Sequence, residues 1–133
     1  DSAASNNSLN FFEEMKVFAL ASKMYYQDPT AVTPRQTLLA ATRNGALAQG
    51  REDCGLVKEG FRADLLVVDI NQPNMNPVHN MLNNLVYSAS GTDICLTMAD
   101  GKVLYENGSY PTLDLEKTIA EANAATRRIL AAL

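Results

Sequence analysis

A chain of 133 residues, 47% apolar and 20% charged, has the length of one domain and enough apolar side chains to build a core. Its formal net charge of −4 and the lack of any basic run argue against nucleic acid and anionic membrane surfaces as partners. No run of about 18 apolar residues offers a membrane span, and the two cysteines, Cys54 and Cys95, sit far apart with no C-x-x-C pattern. They read as reduced, partly buried thiols of a cytoplasmic protein.

The chain opens on Asp1, not Met, and the small polar run DSAASNNS resembles no targeting signal. That suggests a polypeptide beginning within a larger fold. Residues 1–8 read as loop. A helix comes next, with Asn10 as N-cap and Glu13 completing a capping box. Phe11, Met15 and Phe18 share one face, and Asp28-Pro29 stops the helix after about Tyr25. Thr33, Pro34 and Gln36 spell a second helix start. Leu38, Leu39, Ala41 and Thr42 extend it to a break or bend at Asn44-Gly45, after which a short turn through Ala48 is stopped by Gly50.

Beyond Gly50 the periodicity changes. Gly55 and Gly60 bracket a turn-rich segment, and residues 63–70, ADLLVVDI, read as a strand buried on both faces. NQPNMNPVHN, residues 71–80, reads as loop. Residues 85–89, LVYSA, read as another strand. Ile94–Met98 and Val103–Tyr105 form a hairpin across Asp100-Gly101, with Met98 opposite Val103 and Leu96 opposite Tyr105. Residues 113–133 form an amphipathic helix striped by Leu115, Ile119, Ala122, Ile129 and Leu133, with Arg127 and Arg128 suiting its C-terminal dipole. The order of helices, strands and a closing helix gives an α+β chain.

Candidate chemistry is sparse. The chain has one histidine, His79, in a Pro-Asn loop, whereas hydrolytic zinc sites draw several ligands from His, Cys and carboxylates. His79 reads as a structural or hydrogen-bonding residue. No G-x-S-x-G, P-loop or G-x-G-x-x-G occurs. Asp64, Asp69, Glu13 and Glu14 read as solvated or capping carboxylates.

Three stretches add a family. ATRNGALAQG (41–50), Asp53-Cys54-Gly55 and KEGFRADLLVVD (58–69) resemble, in order, the C-terminal signature of the amidohydrolase superfamily. DSAASNNSLNFFEEM (1–15) resembles the segment after the last barrel strand in the branch of adenosine-type deaminases and triazine chlorohydrolases. Residues 77–108 resemble the 5-methylthioadenosine/S-adenosylhomocysteine deaminase group. The likeness covers most of the chain and fades after Leu115.

The resemblance implies a C-terminal fragment of a (β/α)8 amidohydrolase. Residues 1–50 would be the end of the barrel with its last loop and helices, 51–112 part of a small β-sandwich, and 113–133 a C-terminal helix. Asp1 matches the family's metal-binding and catalytic aspartate, which takes a proton from metal-bound water and passes it to the leaving amine. The implied cofactor is a divalent metal, zinc or else iron, in the parent enzyme. The family's histidines, its catalytic glutamate and the first seven barrel strands would precede Asp1. This chain alone is therefore expected to bind no catalytic metal and to deaminate nothing. Its expected partners are the N-terminal part of the same enzyme, a nucleoside-like small molecule in the parent, and another copy in a homo-oligomer. Ser5, Asn6 and Asn7 would lie at a pocket mouth or simply make loop hydrogen bonds. Two further readings are a chlorohydrolase or guanine/cytosine-type deaminase within the family, and a non-catalytic interaction domain derived from the same fold.

Overall fold

The computed structural model describes residues 4–133. A helical layer comes first. Helix α1 spans Phe11–Tyr26 and ends on Gln27 in the left-handed region. Helix α2 spans Pro34–Leu39, starting from the expected box: the Thr33 hydroxyl accepts Gln36 N–H at 3.4 Å, and Gln36 Oε1 accepts Thr33 N–H at 2.8 Å. The rod is not interrupted at Asn44-Gly45. Its hydrogen-bond spacing widens into a π turn over Ala40–Asn44, and it continues as α3, Gly45–Ala48, with helical dihedrals throughout. Gly50, at φ +72°, stops it as expected.

Residues 85–89 are not a strand. They belong to helix α4, Met81–Tyr87, and the turn after it. Asn80 Oδ1 accepts Asn83 N–H at 3.2 Å and so starts a helix. Met81, Leu82, Leu85 and Val86 then fall at helical spacing, and Val86 is buried. Helix α4 packs on α1 and α2. The core lies in that layer, where Phe12, Met15 and Ala19 of α1 are buried, as are Thr37 of α2 and Met75 before α4.

The sheet is small and antiparallel, ordered β1-β2-β3, with β1 Leu65–Val68, β2 Ile94–Ala99 and β3 Lys102–Glu106. The hairpin turns through Asp100 and Gly101 at φ +49° and +76°, which suits a two-residue loop. Met98 faces Val103 as expected, but a register shift after Thr97 puts Leu96 opposite Glu106 and Thr97 opposite Tyr105. An irregularity of this kind consumes a residue on one strand, and counting outward from the turn misses it. Strand β1 is not buried on both faces, because Leu66 and Val67 are each about half exposed. It is an edge strand among the described residues. Helix α5, Leu115–Leu130, is capped by Asp114, whose Oδ1 accepts Lys117 N–H at 3.0 Å.

Two knots tie the layers together. Asp93, buried before β2, accepts Ser90 N–H at 2.8 Å and the Asn74 amide at 2.7 Å, while its own carbonyl accepts Asp69 N–H from the end of β1. At the other end, the Arg43 guanidinium donates from the π turn to the carbonyls of Glu52 and Cys54, both at 2.8 Å. Gly55 presses there on the helical rod. A Cβ on it would lie 2.8 Å from Arg43 Cα and 2.9 Å from Arg43 N and Thr42 C, and its φ is +80°. Gly55→Ala must move backbone as well as adopt a strained dihedral. It is expected to lower stability by about 2–5 kcal/mol in urea denaturation, adding backbone strain to overpacking. An unchanged midpoint would show that the contact is slack.

Candidate functional site

Asp1, the expected metal-binding and proton-transferring carboxylate, lies outside the described residues, as do Ser2 and Ala3. The segment after it is described and is held to the start of α1. Residues Ala4–Asn6 make a turn, and Asn7 sits in the left-handed region at φ +62°. Asn6 Nδ2 donates to Glu14 Oε1 at 2.6 Å. The Ser8 hydroxyl accepts Asn10 N–H at 3.2 Å and donates to Glu13 Oε2 at 3.4 Å.

The capping box expected of Asn10 and Glu13 does not form. Asn10 is the N-cap residue, but its side chain caps nothing, and its Oδ1 is buried without a partner, close to Gly91. Packing against the Gly91 turn takes the amide away from the helix end, and Ser8 engages Glu13 instead. The sequence carried a weak signal for this, a serine five residues before a glutamate at a helix start. Ser5, Asn6 and Asn7 are exposed. Of these, Asn6 is engaged by Glu14, a loop hydrogen bond of the kind expected.

The other chemistry-bearing residues are drawn into structural roles. A cleft of about 460 Å³ between the signature turn and the hairpin is lined by Arg51, Asp53, Arg62, Asp64 and Asp100 among others. Arg62 answers two of its carboxylates. Arg62 Nε donates to Asp53 Oδ2 at 2.9 Å, Arg62 Nη1 lies 3.5 Å from Asp100 Oδ2, and Asp64 Oδ1 accepts Asp100 N–H at 2.7 Å. Asp69 accepts Asn71 N–H and the Gln72 amide at 2.9 and 2.7 Å. Asp64 and Asp69, expected as solvated or capping carboxylates, thus bond backbone N–H groups of the turns after β2 and β1. Cys54 is buried, and burial first, then Asp53, push its thiol up, which makes it a poor nucleophile. Both cysteines are free thiols, Cys95 only partly buried. His79 is exposed in the loop before α4. Among the described residues no group of three His, Cys, Asp or Glu side chains could hold a metal ion, so they do not by themselves fit one. Nor is any helix there long and apolar enough to cross a membrane.

The Arg62 hydrogen bond holds the Asp53 carboxyl below its ordinary value of 3.8. A carboxyl depressed in the folded chain stabilises it above the unfolded value, and that contribution is lost as pH falls through the folded one. Thr30 acts on Asp28 and Asn71 on Asp69 in the same direction. Urea midpoints are expected to fall as pH drops below 3.8, and Asp53→Asn to flatten part of that fall. An identical pH slope in the variant would refute the assignment to Asp53.

The model of the amidohydrolase family matches residues 1–104. The 5-methylthioadenosine/S-adenosylhomocysteine deaminase of Dictyoglomus thermophilum is 43% identical over 122 residues, 92% of this chain and 29% of that protein. The 5'-deoxyadenosine deaminase of Methanosarcina mazei is 44% identical over 131 residues, 98% of this chain and 30% of that one. Among solved structures, an adenosine deaminase from Xanthomonas campestris with bound zinc superposes with a TM-score of 0.94 at 32% identity, covering 98% of this chain and 30% of its own. A triazine hydrolase variant superposes at 0.82 and 29% identity, over 92% of this chain and 27% of that one. This chain thus spans about three tenths of the length of the relatives it matches. Its three helices before Gly50, the Gly55 junction and the first two strands of the sheet all fall within the matched residues, and the chain belongs to the amidohydrolase family.

Proposed function

We propose that the chain serves a metal-dependent hydrolytic deaminase of purine nucleosides of the methylthioadenosine, S-adenosylhomocysteine or 5'-deoxyadenosine type. One observation carries the reading: the 43% identity to a relative of that name over 92% of the chain. In this reading residues 1–50 close the barrel, 51–112 form part of the β-sandwich and 113–133 the terminal helix. Asp1 supplies a carboxylate to a divalent metal and moves a proton toward the leaving amine. Zinc is the metal of choice, on the likeness to the zinc-bound Xanthomonas structure, with iron able to take the same ligand. The metal, when bound, supplies a water acidified for attack near neutral pH. The described residues contribute support, since Asn6 on Glu14 and Ser8 on Glu13 and Asn10 hold the segment after Asp1 to α1.

The partner that completes the site is the remaining length of such an enzyme. The two free thiols suit a reducing cytoplasm. The likeness to triazine hydrolase favours C–Cl hydrolysis as a second reading, at lower identity.

The chain alone is expected to show no turnover with zinc and methylthioadenosine. Exchanged for the aligned segment of the Dictyoglomus deaminase, it is expected to preserve release of ammonia from methylthioadenosine. Asp1→Asn in that hybrid should then cost at least about a hundredfold in kcat, the scale of a lost proton-transfer group. A soluble, zinc-loaded hybrid that dechlorinates a triazine but leaves the nucleoside intact would move the assignment to the second reading. Turnover by the isolated chain, abolished by Asp1→Asn, would overturn the need for further sequence.

A further inference from the structure

Three places in the chain put a glycine directly after an Asn or Asp side chain: Asn44-Gly45, Asp100-Gly101 and Asn107-Gly108. A glycine there leaves its backbone nitrogen unshielded by any side chain. That nitrogen can attack the preceding side-chain carbonyl carbon and close a five-membered imide. The structure separates the three places. Asn44 has helical dihedrals, φ −68° and ψ −38°, within the rod, and Gly45 N–H is bonded to the Thr42 carbonyl. Gly101 N–H is bonded to the Ala63 carbonyl at 3.1 Å, and the Asp100 carboxylate lies 3.5 Å from Arg62 Nη1. Gly108 differs from both. Its N–H makes no hydrogen bond among the described residues, and Asn107 and Gly108 are both exposed. Beyond its chain neighbours, nothing lies within 4 Å of where a Cβ on Gly108 would stand.

Asn107 and Gly108 turn the chain after β3 with φ +44° and +88°, a left-handed pair that asparagine and glycine tolerate best. Two backbone bonds close this turn, Ser109 N–H to Glu106 O at 2.8 Å and Glu106 N–H to Ser109 O at 3.0 Å. Opening them frees the Asn107–Gly108 peptide to rotate toward the Asn107 side chain. The same rotation at Asn44 has to break a helical rod against which Gly55 is pressed. We propose that Asn107 is a self-modification site, which deamidates through a cyclic imide with Gly108. The Gly108 nitrogen gives up its proton and bonds to Asn107 Cγ. The Cγ–Nδ2 bond breaks, and Nδ2 leaves with that proton as ammonia. Water then opens the imide, at Cγ to give aspartate or at the backbone carbonyl of residue 107 to give isoaspartate. Nothing is oxidised or reduced, and water is the one co-reactant. Isoaspartate carries the side-chain methylene in the main chain, so the two bonds of the turn no longer match in length. The proposal stands apart from the deaminase reading and survives its failure.

Peptide mapping of the 133-residue chain, held in mildly alkaline buffer and sampled over days, tests it. Electron-transfer fragmentation tells aspartate from isoaspartate. Asn107 is expected to gain the mass of an amide-to-acid exchange at least about tenfold faster than Asn44, because reaction at Asn44 waits on opening of the rod. Both aspartate and isoaspartate should form at residue 107. In urea the two Asn-Gly sites should converge on one rate, since the fold no longer separates them. Asn107→Gln, which has to close a larger ring, should abolish the change at that position. In the isoaspartyl form the amide hydrogens of Glu106 and Ser109 should exchange faster. Three results would overturn the proposal. One is equal rates at Asn44 and Asn107 in native buffer. Another is an Asn107 that stays intact there while both sites react in urea. The third is aspartate at residue 107 with no isoaspartate, which would mean direct hydrolysis without the imide.

Discussion

The close approach of Gly55 to the backbone of Arg43 and Thr42 is the constraint on which the relation of sheet to helices depends. No side chain fits between the signature turn and the helical rod, and the turn needs a left-handed residue at that point. Arg43 then spans the junction and gives two carbonyls of the turn their hydrogen bonds. Widening of the rod into a π turn over Ala40–Asn44 coincides with this contact, as such insertions do where a helix meets a special packing demand. Downstream, Arg62 N–H bonds the Asp53 carbonyl while its guanidinium takes the Asp53 carboxylate, so the next strand leaves the turn in a fixed direction. Asp64 then receives Asp100 N–H, and Ala63 O receives Gly101 N–H, which pins the hairpin turn to the start of β1. The most recognisable run of residues in this chain is therefore architecture. It fixes one layer on another and offers no reacting group.

The segment after Asp1 is tied to the first turn of α1, and the buried Phe12 and Met15 of α1, Thr37 of α2 and Val86 of α4 form the core of the helical layer. Such a core has few ways to rearrange. Helix α1 thus serves two tasks. Its first turn, through Glu13 and Glu14, receives the hydrogen bonds of the Ser8 and Asn6 side chains, and its buried face joins that turn to α2 and α4.

How much of this was legible in the sequence depends on the range of the interactions involved. Local chemistry was readable. Thr33, Pro34 and Gln36 form the box they spell, Asp100-Gly101 turns the hairpin, and Gly50 stops its helix. The failures have different causes. Asn10 gave up its capping role to a contact with Gly91. Residues 85–89 look strand-like by composition, yet Asn80 starts a helix there and the Asn84 amide bonds Met75 O at 2.6 Å, placing the segment on α1 and α2. The Leu96–Tyr105 pairing was lost to a register shift that no residue in the hairpin announces. The site was legible in a different sense. Asp1 was reached through resemblance alone, because a single carboxylate in a polar run carries no chemical signal. The internal pairing of Asp53, Arg62, Asp64 and Asp100 became visible only when the fold placed residues far apart in sequence around one cleft.

Exposed apolar surface on this chain is of two kinds, and the difference bears on what covers each. Helix α1 carries apolar residues well beyond its buried face. Phe12, Met15 and Ala19 face the core, while Phe11, Val17, Phe18, Leu20 and Met24 are exposed around much of the remaining circumference. A helix apolar nearly all round belongs in the middle of a larger core, in keeping with a chain that spans about three tenths of the length of its relatives. The exposed faces of Leu66 and Val67 on β1 are continuous with a sheet edge unpaired among the described residues and ask for further strands in the same way. Helix α5 is different. Its apolar residues form one narrow stripe, flanked at mid-helix by Asn123 and Ala125, with acidic charge toward one end and basic charge toward the other. A stripe of that width suits one element laid along it, not a surrounding core. The surfaces of α1 and β1 thus ask for cover on several sides, and that of α5 on one.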